Sequence, residues 1–248
     1  MLRTLASFWT WTVLGTLVLF WVPLLAIVVG LTWPFDRQRY IAGRLFRQVG
    51  VITAKANPLW RFRWAGTPPA DPRRPFVVVS NHESFSDILL LSHLPWEMKW
   101  LSKAEILRIP VLGWCMRLAG DIPIWRGKME SARGAMSQAL GVLRGKVSVM
   151  IFPEGTRSPT DALLPFKDGA FRLAIEAGVP VLPLVVVGTR NALAKHDWRM
   201  NPADATVTVL EPIETTGLTL EDVPTLKERV RNVILQARER LRAPDRTT

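Results

Sequence analysis

From Phe8 to Trp33 the chain carries no charged side chain, and this run limits what the N-terminal part can become. A helix needs about 20 apolar residues to cross the hydrocarbon of a bilayer, so the run is long enough to span one. Trp9, Trp11, Trp21 and Trp33 lie along it, and indole rings favour the membrane–water interface. Pro23 leaves two forms open, a single span or a hairpin of two short interfacial helices. A cleaved secretory signal fits less well, because the run is too long and no small-residue cleavage site follows. Residues 1–35 are therefore expected to be a retained membrane anchor.

Composition agrees. Hydrophobic residues make up 48% of the 248, and eleven residues are Trp. The formal net charge of +11 calls for an anionic partner such as lipid headgroups or a phosphorylated substrate. Nucleic acid is not expected, because the basic residues are spread out and no recognition motif appears. Arg37, Arg39, Arg44, Arg47, Lys55, Arg61 and Arg63 follow the apolar run, against Asp36 alone. The positive-inside rule then places the remainder on the cytoplasmic face, with a bacterial inner membrane expected. The same stretch can lie on anionic headgroups or be a solvated linker, and residues 36–75 are read as a basic connecting segment.

From residue 76 the pattern changes. Phe76–Ser80, Lys146–Phe152 and Val179–Val187 are short, mostly apolar, β-branched runs. Helical stretches at Glu130–Arg144 and Gly169–Ala177 separate them, and Thr206–Leu210 adds a late strand. Strands apolar on both faces and alternating with helices predict an α/β domain over 76–248, with a mostly parallel sheet flanked by helices. Leu226, Val230, Val233, Ile234, Ala237 and Leu241 recur at helical spacing with arginines opposite, which predicts an amphipathic helix packed on the sheet.

Two segments carry chemistry. Asn81-His82-Glu83-Ser84-Phe85-Ser86-Asp87 follows a predicted core strand, where α/β proteins place functional loops. His82 and Asp87 cannot face each other within one regular helix, but they meet if His82 lies in the loop and Asp87 in the next helix's first turn. Two readings stand open. Ser84 and Asp87 can form a capping box, leaving His82 in a turn. Alternatively Asp87 orients His82 as a general base. The second segment, Phe152-Pro153-Glu154-Gly155-Thr156-Arg157-Ser158, also ends a core strand. Gly155 permits close backbone approach, Thr156 and Arg157 suit a phosphate, and Glu154 can orient Arg157 or a substrate hydroxyl. In isolation this is equally a surface loop with an ion pair.

Together these segments resemble the glycerolipid acyltransferases, specifically the 1-acyl-glycerol-3-phosphate acyltransferase family. Four blocks stand in the family's order: His82 to Asp87 with Asn81, Gly120–Arg126, Phe152–Ser158 and Val179–Leu184. The resemblance runs from about Phe76 to Gly188. One position departs: many members have an aspartate before the second-block arginine, whereas Trp125 precedes Arg126 here. That leaves the acceptor headgroup open.

The resemblance implies transfer of a fatty acyl group from acyl-CoA or acyl carrier protein to the hydroxyl of a lysophospholipid, without a cofactor or metal. His82 and Asp87 would be catalytic, and Arg126, Glu154, Gly155, Thr156 and Arg157 would bind substrate. A covalent acyl-enzyme is not expected, since no Gly-x-Ser-x-Gly elbow occurs and Cys115 sits in the apolar stretch Val111–Leu118. His93 and His196 are read as a helix residue and a surface residue. Trp96, Trp100 and Trp114 line an acyl path, touch the membrane or pack in the core. Rival readings are another acceptor (lyso-ornithine lipid or glycerol 3-phosphate), an acyl-lipid hydrolase or thioesterase, and a non-catalytic membrane-binding protein.

Overall fold

A computed structural model describes residues 1–125, 127–194 and 197–242. Helix α1 runs unbroken over Leu2–Thr32, straight through Pro23. Proline removes one backbone hydrogen bond there, too little to reverse a helix that is held along one side. Its hydroxyls turn inward: Ser7, Thr10, Thr12 and Thr32 each donate to the carbonyl four residues back. No hairpin forms.

The segment read as a basic connector is structured. Helix α2 covers Tyr40–Ala56 and strand β1 covers Trp60–Gly66. Asp36 starts α2 by accepting from the backbone of Tyr40 (2.9 Å) and Ile41 (2.7 Å). The buried face of α2, including Ala42, Phe46 and Val49, packs with Leu17, Val18, Trp21 and Leu25 of α1 and with α4 (Leu112–Ala119). Strand β1 alternates aromatic and basic residues, with Trp60 buried and Arg61 exposed.

The remaining strands are β2 (Val77–Ser80), β3 (Met98–Lys103), β4 (Ile122–Ile124), β5 (Ser148–Ile151), β6 (Val181–Val187) and β7 (Ala203–Val209). They join β1 in a seven-stranded sheet of order β1-β7-β6-β2-β5-β3-β4. All neighbours pair parallel except β6 and β7, so the mostly parallel α/β expectation holds. Val77 and Val79 face one layer, formed with α5 (Met129–Arg144), α6 (Gly169–Ala177) and α7 (Val223–Arg242). Val78 faces the other, with Leu90 and Leu91 of α3 (Asp87–Leu91), Trp96 and Trp100. Burial on both faces is why β2, β5 and β6 read as continuous apolar runs. These three are neighbours and parallel, so the loops leaving their C-terminal ends gather at one edge of the sheet.

Candidate active site

The loop after β2 is stitched to β6 by Asn81, whose amide donates to Val186 O and accepts from Val186 N, each at 2.8 Å. This fixes the backbone entering His82. Five residues on, Asp87 opens α3 and is wholly buried. Its Oδ2 accepts from His82 Nδ1 (2.7 Å), Glu83 N (2.7 Å) and Ser84 N (3.0 Å). One carboxylate oxygen thus ties down the turn and the imidazole together. Half of the capping box is present: the Asp87 carboxylate accepts from Ser84 N, while Ser84 Oγ accepts from Ser86 N at 3.4 Å and not from the Asp87 amide. The helix itself begins after Ser86, with no side-chain cap bond at that residue. Asp87 oxygen on Nδ1 sets the tautomer that leaves Nε2 free of its proton, and Nε2 has no partner among the described residues.

The loop after β5 supplies the other half. Phe152 stacks on the His82 ring at 4.0 Å between centroids and 17° between planes. Glu154 does not pair with Arg157. Its Oε1 accepts from His82 N (2.7 Å) and its Oε2 from Leu164 N (2.9 Å). Burial raises the Glu154 pKa, opposed by those two backbone bonds and by the positive charge of Arg238. Gly155 sits at φ +70°, and a Cβ there would come within 2.7 Å of Lys167 Nζ. The positive φ favours glycine here, and a side chain would also push the end of Lys167 aside. Thr156 is exposed and Arg157 is half-buried with no ion pair among the described residues. Arg126 lies outside the described residues, as does His196.

A cavity of about 490 Å³ opens beside this loop. Its walls are mostly apolar, with Leu101, Ile124, Met129, Met136 and Ile151, and Gly155 and Lys167 complete one side. Phe152 belongs to the wall and also stacks on His82, so a single ring stands between the cavity and the imidazole. Trp125 is another wall residue, its ring covered by Arg108 at 4.3 Å and approached by Lys128 at 5.8 Å. The departure at Trp125 therefore bears on the apolar cavity.

Three cations escaped sequence reasoning. Lys167 extends over Gly155. Arg190, just after β6, donates to Ser158 O (3.2 Å) and pairs with Asp161 (2.6 Å). Arg238 of α7 is buried beside Glu83. Arg190 and Arg238 come from segments remote in sequence, so no local spacing announces them, whereas Lys167 lies later in the same loop after β5. Other candidate residues belong to packing. His93 Nδ1 bonds Leu89 O at 2.9 Å, and burial lowers its pKa. Trp96 and Trp100 are core, and Trp114 is half exposed on α4. Cys115 is buried, its thiol pushed up by burial to about 11.

A sequence model described as Acyltransferase matches residues 61–187, about half of the chain, including the loops that carry His82–Asp87 and Glu154–Arg157. The chain belongs to this family. It is 41% identical over 166 residues to human 1-acyl-sn-glycerol-3-phosphate acyltransferase alpha, covering 66% of this chain and 59% of that protein. Saccharomyces cerevisiae 1-acyl-sn-glycerol-3-phosphate acyltransferase is 34% identical over 164 residues, 64% of this chain and 54% of the yeast protein. The chain thus spans under two thirds of these relatives. The crystal structure of the 1-acyl-sn-glycerophosphate (LPA) acyltransferase PlsC from Thermotoga maritima superposes with a TM-score of 0.81 at 25% identity, over 99% of this chain and 98% of that one. Family membership accounts for the four ordered blocks and for the α/β sheet that carries them.

Proposed function

We propose that this protein transfers a fatty acyl group from an acyl thioester, on CoA or acyl carrier protein, to the free hydroxyl of 1-acyl-sn-glycerol 3-phosphate, giving phosphatidic acid. The observation that carries this is the His82–Asp87 pair held against Phe152, a wall of an apolar cavity. A base one ring away from an apolar cavity suits transfer of a fatty chain. His82 Nε2 takes the acceptor's hydroxyl proton as the oxygen attacks the thioester carbonyl, and Asp87 stabilises the imidazolium. When the tetrahedral intermediate collapses, the carbon–sulfur bond breaks and the imidazolium returns the proton to the leaving thiolate. Arg157 and Lys167, with Gly155 and Thr156 shaping the loop, hold the acceptor phosphate together with Arg126. Glu154 keeps the two loops in register through the backbone of His82 and Leu164.

The chain works on a membrane. Helix α1 is long and apolar enough to cross one by length and composition. Yet the domain touches it from Arg3, paired with Asp197, to Val29. A transverse helix would drag those contacts into hydrocarbon, so α1 lies along the interface with its outer face in lipid. Arg37, exposed just beyond it, favours the anionic cytoplasmic leaflet.

The test is product analysis by mass spectrometry with acyl-CoA, acyl-ACP and a panel of lysolipids that includes lyso-ornithine lipid and glycerol 3-phosphate. Phosphatidic acid is the expected product, lost in His82→Ala. Release of free fatty acid without acceptor would point to a thioesterase, and full transfer by His82→Ala would refute the base.

A further inference from the structure

The residue between His82 and the rest of its turn is Glu83, and its carboxylate is buried. Its Oε1 accepts from Arg238 Nη2 (2.8 Å) and Nε (3.1 Å) and from Arg242 Nη2 (2.7 Å). Both arginines come from α7, more than 150 residues away in sequence. The backbone of Glu83 meanwhile donates to Asp87 Oδ2, the oxygen that holds the imidazole. Arg238 makes a second attachment: Nη1 donates to Asp161 O at 2.6 Å. Asp161 follows Ser158, whose N–H donates to His82 O at 3.0 Å. One guanidinium thus grips the turn containing His82 and the loop that closes over it.

We propose that Arg238 is a positioning residue for the acyl-transfer dyad, and that α7 acts through Glu83 to hold the backbone amides on which Asp87 aligns His82. A buried charge pair adds little net stability over apolar replacements. Its fork geometry does fix direction, since a guanidinium presents several donors in one plane. Arg238 uses this plane to set the distance between two loops, and α7 thereby reports its docking on the sheet to the base. Amphipathic spacing hides this role, because the arginines of α7 read as a solvated face.

This inference rests on the dyad reading above, and the test separates the two. The full chain is assayed in detergent with 1-acyl-sn-glycerol 3-phosphate and acyl-CoA, well below each variant's unfolding midpoint. Arg238→Gln and Glu83→Gln are made singly, and each also in an Asp87→Asn background, with His82→Ala alongside. Arg238→Gln is expected to lower kcat about 10- to 100-fold, the scale of a misplaced catalytic group. Both KM values should stay within about twofold. In the Asp87→Asn background the same substitution should cost little more, because both changes act on one alignment. Wild-type kcat in Arg238→Gln, or losses that multiply with Asp87→Asn, overturns the positioning role while leaving the dyad intact. If Arg238→Gln does not fold, Arg238→Lys replaces it. Lysine reaches Glu83 or Asp161 but not both in the fork geometry, so an unchanged kcat there also overturns the proposal. Transfer by His82→Ala at wild-type rate instead sinks the dyad reading itself.

Discussion

Asp87 performs two jobs with one oxygen, and the two can be separated by substitution. Asparagine in its place keeps an oxygen for the Glu83 and Ser84 amides and for His82 Nδ1 but carries no charge, so the imidazolium formed as the base takes its proton loses its stabilising carboxylate. Asp87→Asn is expected to lower kcat by about 10²–10⁴-fold with little change in melting temperature, read by steady-state kinetics beside thermal unfolding. Cys115 makes the opposite case, a nucleophile withheld. With its thiol held near 11 by burial, it stays protonated at neutral pH, and only thiolate attacks. Alkylation by iodoacetamide in the folded protein should be slow at pH 8 and climb only as pH approaches that value. Fast modification at pH 8 would show the thiol exposed and reopen an acyl-cysteine route. The His82-to-Asp87 spacing was legible because both partners lie in one loop. Arg190 was not, since it reaches the site from the loop after β6, and Lys167 was not, because the loop after β5 has to fold back on itself to bring it over Gly155.

Among elements, the anchor pair and the sheet meet through buried charge. Arg47 of α2 bonds Asp121 at 2.5 Å and Glu97 at 3.3 Å, and Lys99 Nζ bonds Glu97 at 3.0 Å. Burial alone would lower the pKa of Arg47, but Asp121 and Glu97 outweigh it and hold the guanidinium charged. Removing one member strands the others. Arg47→Met should cost about 3–5 kcal/mol, seen as a lower denaturation midpoint. Gly43 belongs to the same joint, since a Cβ there would run into Glu97 Oε1 and Lys99 Nζ. A midpoint equal to wild type in Arg47→Met would mean that the cluster carries no net stability. This joint explains why the sequence reading called residues 36–75 a connector. A buried arginine such as Arg47 looks like a solvated one until its carboxylate partners, 50 and 74 residues on, are placed. Strands β2, β5 and β6 were legible because burial on both faces leaves an uninterrupted apolar run. In β3, Lys99 breaks the run, and β4 has only three residues.

At the scale of the molecule, α1 divides into two faces that composition cannot distinguish. Leu17, Val18, Trp21 and Leu25 face α2 and α4. Trp9, Trp11 and Trp21, which sequence places in aromatic belts, donate instead to the carbonyls of Ala56, Trp198 and Leu45. Phe8, Leu19, Phe20 and Ile27 point outward. An apolar strip of this length is costly in water, and its area lies on the flank that carries the docked helix. A single span, a hairpin and a docked interfacial helix share one hydrophobic run. What separates them is the packing of α2 and α4, decided beyond the run itself. Phe20 and Ile27 are seven residues apart, so they share the outer face, and both are exposed. Phe20→Glu with Ile27→Glu leaves the inner face untouched and should not move the unfolding midpoint in detergent. Each change removes about 2 kcal/mol of apolar transfer, so the pair should weaken flotation with anionic vesicles by roughly 100-fold or more. Turnover on lysolipid presented in vesicles should fall with it, while turnover in detergent micelles is retained. Vesicle binding unchanged in the double variant would mean that another surface holds the protein to lipid, and that the outer face of α1 is not its anchor.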